Sequence, residues 1–195
     1  MGSLINKFAV DCDLILCPDG SLGAAAAQTE NCNDVTLSEV NSIILIHPTL
    51  GTAITNWGPA LATTDFDIDN TDATDAKQKR FFVSGSMAEP EETTVTVNSF
   101  QDVVINRKYT LAVSLYNIPS ETYDFIRKVQ CGSVKPLFYF TTMGGKIFGK
   151  STGIIPSKVS CSLVLGQGTD AIETVNMVFE WYAITAPDRY DNPLP

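Results

Sequence analysis

Hydrophobic and polar positions along this chain alternate with a period of two far more often than with the 3.6-residue period of a helix. Val10, Cys12 and Leu14 alternate with Asp11 and Asp13 within residues 8–16. Tyr109, Leu111, Val113 and Leu115 alternate with Thr110, Ala112, Ser114 and Tyr116, and Val159, Cys161 and Leu163 with Ser160, Ser162 and Val164. Each pattern predicts a strand with one buried face. Ile43-Ile44-Leu45-Ile46 does not alternate, and a β-branched-rich run of this length predicts a buried strand that Pro48 ends. Further strands are expected over residues 52–57, 81–87, 93–97, 102–105 and 171–184, with Asn106-Arg107 as a hairpin turn.

The period changes once. Pro119 and Ser120 open a helix, with Ser120 as N-cap and Glu121 and Asp124 near the positive end of its dipole. Thr122, Phe125, Ile126 and Val129 share one face, Arg127 and Lys128 lie near the negative end, and Gly132 is the stop signal. Strand character returns over residues 134–142, and Met143-Gly144-Gly145-Lys146 reads as a hairpin turn into residues 146–148. The expected fold class is therefore mainly β, a β-sandwich or barrel with one flanking helix at about residues 120–131. The chain is read as a single domain, 1–195. Two segments depart from the strand pattern. Residues 63–80 form a long polar loop, acidic first and basic last, and residues 186–195, with three prolines, form an extended or mobile tail.

Charge narrows the function classes. Thirteen basic residues face 22 acidic ones, a formal net charge of -9. A surface that binds nucleic acid needs cations to displace condensed counterions, and docking on an anionic bilayer needs them too, so both classes are disfavoured. An acidic surface suits solubility, and it also suits a channel that nucleic acid must pass without sticking. No apolar run reaches the roughly 18 residues of a membrane span. Five cysteines at irregular spacing suggest free thiols and a reducing compartment. Asp11 and Asp13 interrupt any secretion-signal core, so synthesis in a cytoplasm without export by its own signal is expected.

Candidate chemistry is sparse. His47 is the single histidine, which excludes a multi-histidine zinc site, and no nucleophile elbow accompanies it. It is read as structural. Asp65, Asp67 and Asp69 match the opening spacing of a calcium loop, but Ala76 stands where the closing glutamate belongs and Asn70 where the glycine belongs. Asp65, Asp67, Asp69, Asp72 and Asp75 with Lys77, Lys79 and Arg80 are therefore read as a solvated acidic loop or a charged arm that contacts a neighbouring subunit. The glycines at 144–145 and 166–168 lack the lysine and the helix of a phosphate loop and are read as turns. Glu173 and Glu180, seven residues apart, fall on opposite faces of a regular strand, against a glycosidase pair. Phe138, Tyr139, Phe140, Phe179, Trp181 and Tyr182 are read as core and interface, although a sugar-binding surface has the same composition. No catalytic group, cofactor or metal is expected.

The order of elements resembles the tail-tube (major tail protein) family of bacteriophages. The resemblance lies in the helix at 120–132, the hairpin over 134–148 and the paired strands over 157–184, and it covers about the last 115 residues best. It implies a virion structural subunit, assembled in the host cytoplasm, that closes into stacked hexameric rings through sheet edges. It also implies that residues 63–80 form an arm to the adjacent subunit or ring, and that other tail proteins are partners. DNA would pass an acidic lumen without specific binding. A different tail or head-decoration component, or a β-sandwich carbohydrate- or receptor-binding module, remains an alternative reading.

Overall fold

Ile43, Ile44, Leu45 and Ile46 have no polar residue among them, and the strand they build, β1 (Val40–Ile46), is buried on both faces. A computed structural model describes residues 38–68, 77–97, 101–116, 119–130, 132, 135–165 and 173–195. By its contacts the chain divides into two units, residues 1–35 and 36–195, where the sequence reading treats it as one domain. All described residues belong to the second unit.

After β1 come a 3-10 turn (Thr63–Asp65), β2 (Gln78–Met87), β3 (Glu91–Val97) and β4 (Gln101–Tyr116). Helix α1 (Ser120–Gln130) follows, then β5 (Leu137–Thr142), β6 (Lys146–Gly149), β7 (Lys158–Val164), β8 (Thr174–Ala183) and β9 (Asp188–Asp191). Among the described residues the fold is mainly β, with one α-helix and a single large sheet in the order β7-β8-β4-β2-β1-β5-β6-β9, and β3 beside β4. All pairings between these strands are antiparallel.

The sheet curls on itself. Phe138 of β5 packs on Phe179 and Trp181 of β8, although β4, β2 and β1 lie between those strands in the sheet. The two parts of the sheet therefore face each other as the layers of a sandwich do. The main core fills that space with Tyr109, Leu111, Val113 and Leu115 of β4 and Val175, Met177, Phe179 and Trp181 of β8. Helix α1 adds Ile126 and Val129, and its Phe125 stacks on Phe81 of β2. Gly132, at φ 71°, ends the helix region, and its N–H donates to the Val129 carbonyl.

A second core covers the other face of β1 and β5. It holds Ile44, Ile46, Ile54, Phe66, Tyr139, Ile147 and Leu194. Trp57 stacks on Tyr139 with ring centroids 4.9 Å apart. This second layer explains why β1 and β5 lack alternation: each side of each strand meets apolar side chains.

Four local expectations are corrected. Asn106 and Arg107 form no turn; β4 runs through them because Arg107 pairs with Glu92 of β3 on one side and Ala183 of β8 on the other. Residues 52–57 form no strand; Ile54 instead anchors a loop into the second core, and its N–H donates to the Ser151 carbonyl. The segment 63–80 is no continuous loop. It opens with the 3-10 turn, and Gln78, Lys79 and Arg80 are the first residues of β2, paired with Ile46, Leu45 and Ile44. The tail is ordered: β9 extends the sheet beside β6, and Leu194 is buried.

Candidate functional site

The polar segment singled out by sequence is split by the fold. Asp65 closes the 3-10 turn, accepting hydrogen bonds from the Ala62 N–H at 2.8 Å and the Asn56 amide at 3.1 Å. Asp67 pairs with Lys77 at 2.8 Å, and that partner raises the Lys77 pKa. Lys79 is half-buried in β2. Arg80 donates to Ser42 Oγ at 3.2 Å and to the Pro195 carbonyl at 2.6 Å, and its guanidinium lies 4.8 Å from the centre of the Phe82 ring. Burial lowers its pKa. Lys79 and Arg80 thus belong to the body of the sheet, and Asp69, Asp72 and Asp75 lie outside the described residues. Among the described residues no group of His, Cys, Asp and Glu is placed to hold a metal ion.

The groups weighed for catalysis have structural partners. His47 Nδ1 accepts from the backbone N–H groups of Thr49 and Leu50, at 3.2 and 3.1 Å, and so caps the turn that follows β1. Burial pushes the Cys161 thiol up to about 11, which keeps it in the unreactive protonated form. Cys12, Cys17, Cys32 and Cys131 lie outside the described residues. Glu180 sits between two lysines on neighbouring strands, 3.2 Å from Lys108 of β4 and 3.7 Å from Lys158 of β7. Glu173 precedes β8 rather than lying on it.

The feature that stands apart from the body is the ribbon of β3 and the first part of β4. Glu91 pairs with Lys108, and the register runs to Val97 beside Gln101, with one extra residue on β4 where Thr93 faces Asn106 and Thr94 faces Val104. Among the described residues β3 pairs with β4 alone, and residues 101–106 pair with β3 alone. Among the described residues no strand lies beside either edge of this two-stranded segment over ~20 Å, at about 3.3 Å per residue. Val95 and Val103 are cross-strand partners, so they share one face, and that face carries Val97 as well. Val95 and Ile105 are 47% and 50% exposed, high values for β-branched apolar side chains in a strand. Arg107 fixes the base: its guanidinium donates to Glu92 at 2.8 Å and also to the Ile184 carbonyl. Farther out, Thr96 donates to Asp102 at 2.6 Å.

A groove of about 980 Å³ opens on the body. Ser84 and Ser86 of β2, Ala112 and Ser114 of β4, and Asn176 of β8 line it together with Phe148 of β6. Lys146 and Arg189 supply positive charge; Lys146 pairs with Asp191, whose carboxyl both cations hold below the usual carboxylate range. Glu39, also in the groove, accepts from the Ser84 hydroxyl at 2.8 Å. Among the described residues the groove offers hydroxyls, an amide, an aromatic ring and charged groups for contact.

The ribbon was missed by sequence reasoning although both its strands were read. The available signal was the composition of Glu91–Val97, where Val95 and Val97 share one face with Thr93 and Glu91 and the other face holds Glu92, Thr94 and Thr96, so neither face is apolar along its whole length. Compared with protein-family models, curated proteins and solved structures, the chain matches none of them.

Proposed function

We propose that this chain is a structural subunit of a bacteriophage tail tube, which assembles with copies of itself into stacked rings around a DNA-conducting lumen and catalyses no reaction. The observation that carries the reading is the β3–β4 ribbon: residues 91–97 and 101–106 leave the sheet and, among the described residues, pair only with each other, with Val95 and Ile105 exposed. A free-standing ribbon of this kind is marginal by itself and is a ready template for strand pairing with another chain. Assembly removes both liabilities. In this reading the ribbon, rather than residues 63–80, is the arm that reaches the adjacent subunit.

Three further features support it. The body is mainly β with a single helix, the architecture that the resemblance implies. On the outer face of β4 and β8, which also carries Tyr116 and Tyr182, Glu180 holds both Lys108 and Lys158, so these lysines meet a carboxylate rather than standing open to passing DNA. The net charge of -9 repels a polyanion. Partners would be other copies of the chain and further tail proteins, in a virion assembled in host cytoplasm, with no cofactor. The groove beside Phe148 favours a second reading, a carbohydrate- or receptor-binding module.

Negative-stain electron microscopy and light scattering of purified protein over a rising concentration series test the proposal. Rings or tubes are the expected result. A particle that stays strictly monomeric at high concentration overturns it, and a monomer that binds glycans replaces it with the second reading.

A further inference from the structure

Strands β9 and β7 end the sheet, and they differ in how they meet that position. Strand β9 has four residues, three of them charged, Asp188, Arg189 and Asp191, and an edge this short and charged resists pairing with another chain. Strand β7 runs seven residues. From Val159 to the exposed Leu165 that follows it, the chain has no charge, no proline and no glycine. An uncharged, strand-prone stretch of this length on a sheet edge is the pattern through which identical segments of two chains pair. Among the described residues β7 pairs with β8 alone.

Helix α1 lies against this strand. Its Ile126 and Val129 enter the main core, on which Val159, Cys161 and Leu163 also pack. Its last residue, Gln130, donates from the side-chain amide to the Cys161 carbonyl at 3.0 Å, near the middle of β7. Covering an edge with a helix is one way a sheet keeps other chains away. We infer that α1, held by Gln130, closes a self-association edge, and that the partner this edge takes when the helix is displaced is the same segment, residues 159–165, of a second copy. The segment is complementary to itself. Antiparallel pairing centred on Ser162 sets Val159 opposite Leu165, Ser160 opposite Val164 and Cys161 opposite Leu163, with no charge against any of them. Such a contact is isologous and joins two sheets through their β7 edges. It does not draw on the assembly reading above, because residues 91–106 take no part in it.

A crosslink at the centre of the segment tests this. Cys161→Ser with Ser162→Cys leaves one thiol there, on the exposed face of β7. Into this chain Gln130→Glu introduces an acceptor that the Cys161 carbonyl repels, and Gln130→Ala removes the donor. Far-ultraviolet circular dichroism and thermal melting establish that each variant is folded, and either Gln130 variant serves if the other is not. Mild oxidation and peptide mapping then follow the disulfide between two copies at position 162. The expected result is that this disulfide forms roughly fivefold faster without Gln130 than with it, the factor that loss of one hydrogen bond of about 1 kcal/mol gives. Adding Ser160→Lys together with Val164→Lys, both at exposed positions, sets like charges directly opposite in the antiparallel register and should remove the gain. Crosslinking at the same rate with and without Gln130 overturns the inference. So does a gain that the paired lysines leave unchanged. Because the crosslink reads this edge alone, either failure leaves the ribbon and the assembly reading as they stand.

Discussion

Phe138 of β5 and Phe179 of β8 lie with ring centroids 4.7 Å apart, tilted at 38°, although three strands separate them in the sheet. This pair joins the two faces of the curled sheet, and both side chains are fully buried. Phe138→Ala is expected to cost about 3–5 kcal/mol, as deletion of a buried aromatic ring usually does. A double-mutant cycle with Phe179→Ala should give a coupling of about 0.5–1.5 kcal/mol by urea denaturation. Additive losses would show that the rings do not stabilise each other.

The C-terminal residues stabilise the second core. Leu194 is buried, Asp188 accepts from the Trp57 indole at 3.2 Å, and the Pro193 carbonyl accepts from Thr63 at 2.9 Å. Leu194→Ala should lower stability by about 2–3 kcal/mol, toward the lower end of the range for leucine truncation because the residue lies near the surface. A denaturation midpoint equal to wild type would mean that the tail does not contribute.

Gly153 has φ 83°, and a Cβ there would lie 2.6 Å from Ile46 Cδ1 and 3.1 Å from Leu137 Cβ. Backbone conformation and space both require glycine at this turn. Gly153→Ala should cost about 1–3 kcal/mol, combining left-handed strain with overpacking. At Gly145, which also has positive φ but nothing near its missing Cβ, alanine should cost less. Comparing the two melting temperatures separates the steric part from the conformational part.

Glu180 raises the pKa of Lys108 through a hydrogen bond and its charge. A lysine raised in the folded state contributes stability that is fully present below the unfolded value, about 10.4, and is lost as pH rises through the folded value. Wild-type melting temperature should therefore fall more steeply than that of Glu180→Gln above about pH 10.4. Parallel curves would show that the ion pair is screened by solvent, as exposed pairs often are.

The chain pattern and its tertiary consequences can be compared element by element. The alternation of β4 and β7, the helix face of Ile126 and Val129, and the glycine stop at 132 are local matters, and the structure agrees with them. Strand β9 was unreadable because Asp188–Asp191 is polar and short, and it becomes a strand only because β6 offers a free edge. Lys79 and Arg80 misled for a related reason. Their charges suggest a loop, yet half-buried side chains of this length can lay apolar stems along a sheet. Of the candidate assembly surface, residues 91–108 were legible as strands but not as a ribbon.

The sequence by itself determined which segments alternate, which are continuous, where the helix starts and stops, and that the molecule is acidic, because these follow from bonds and side chains a few positions apart. Only the tertiary structure decided that β1 and β5 are covered twice, that the sheet closes Phe138 onto Phe179, and that β3, among the described residues, pairs with β4 alone. Those outcomes depend on which distant strands compete for each edge, and that competition is settled by packing across the whole sheet.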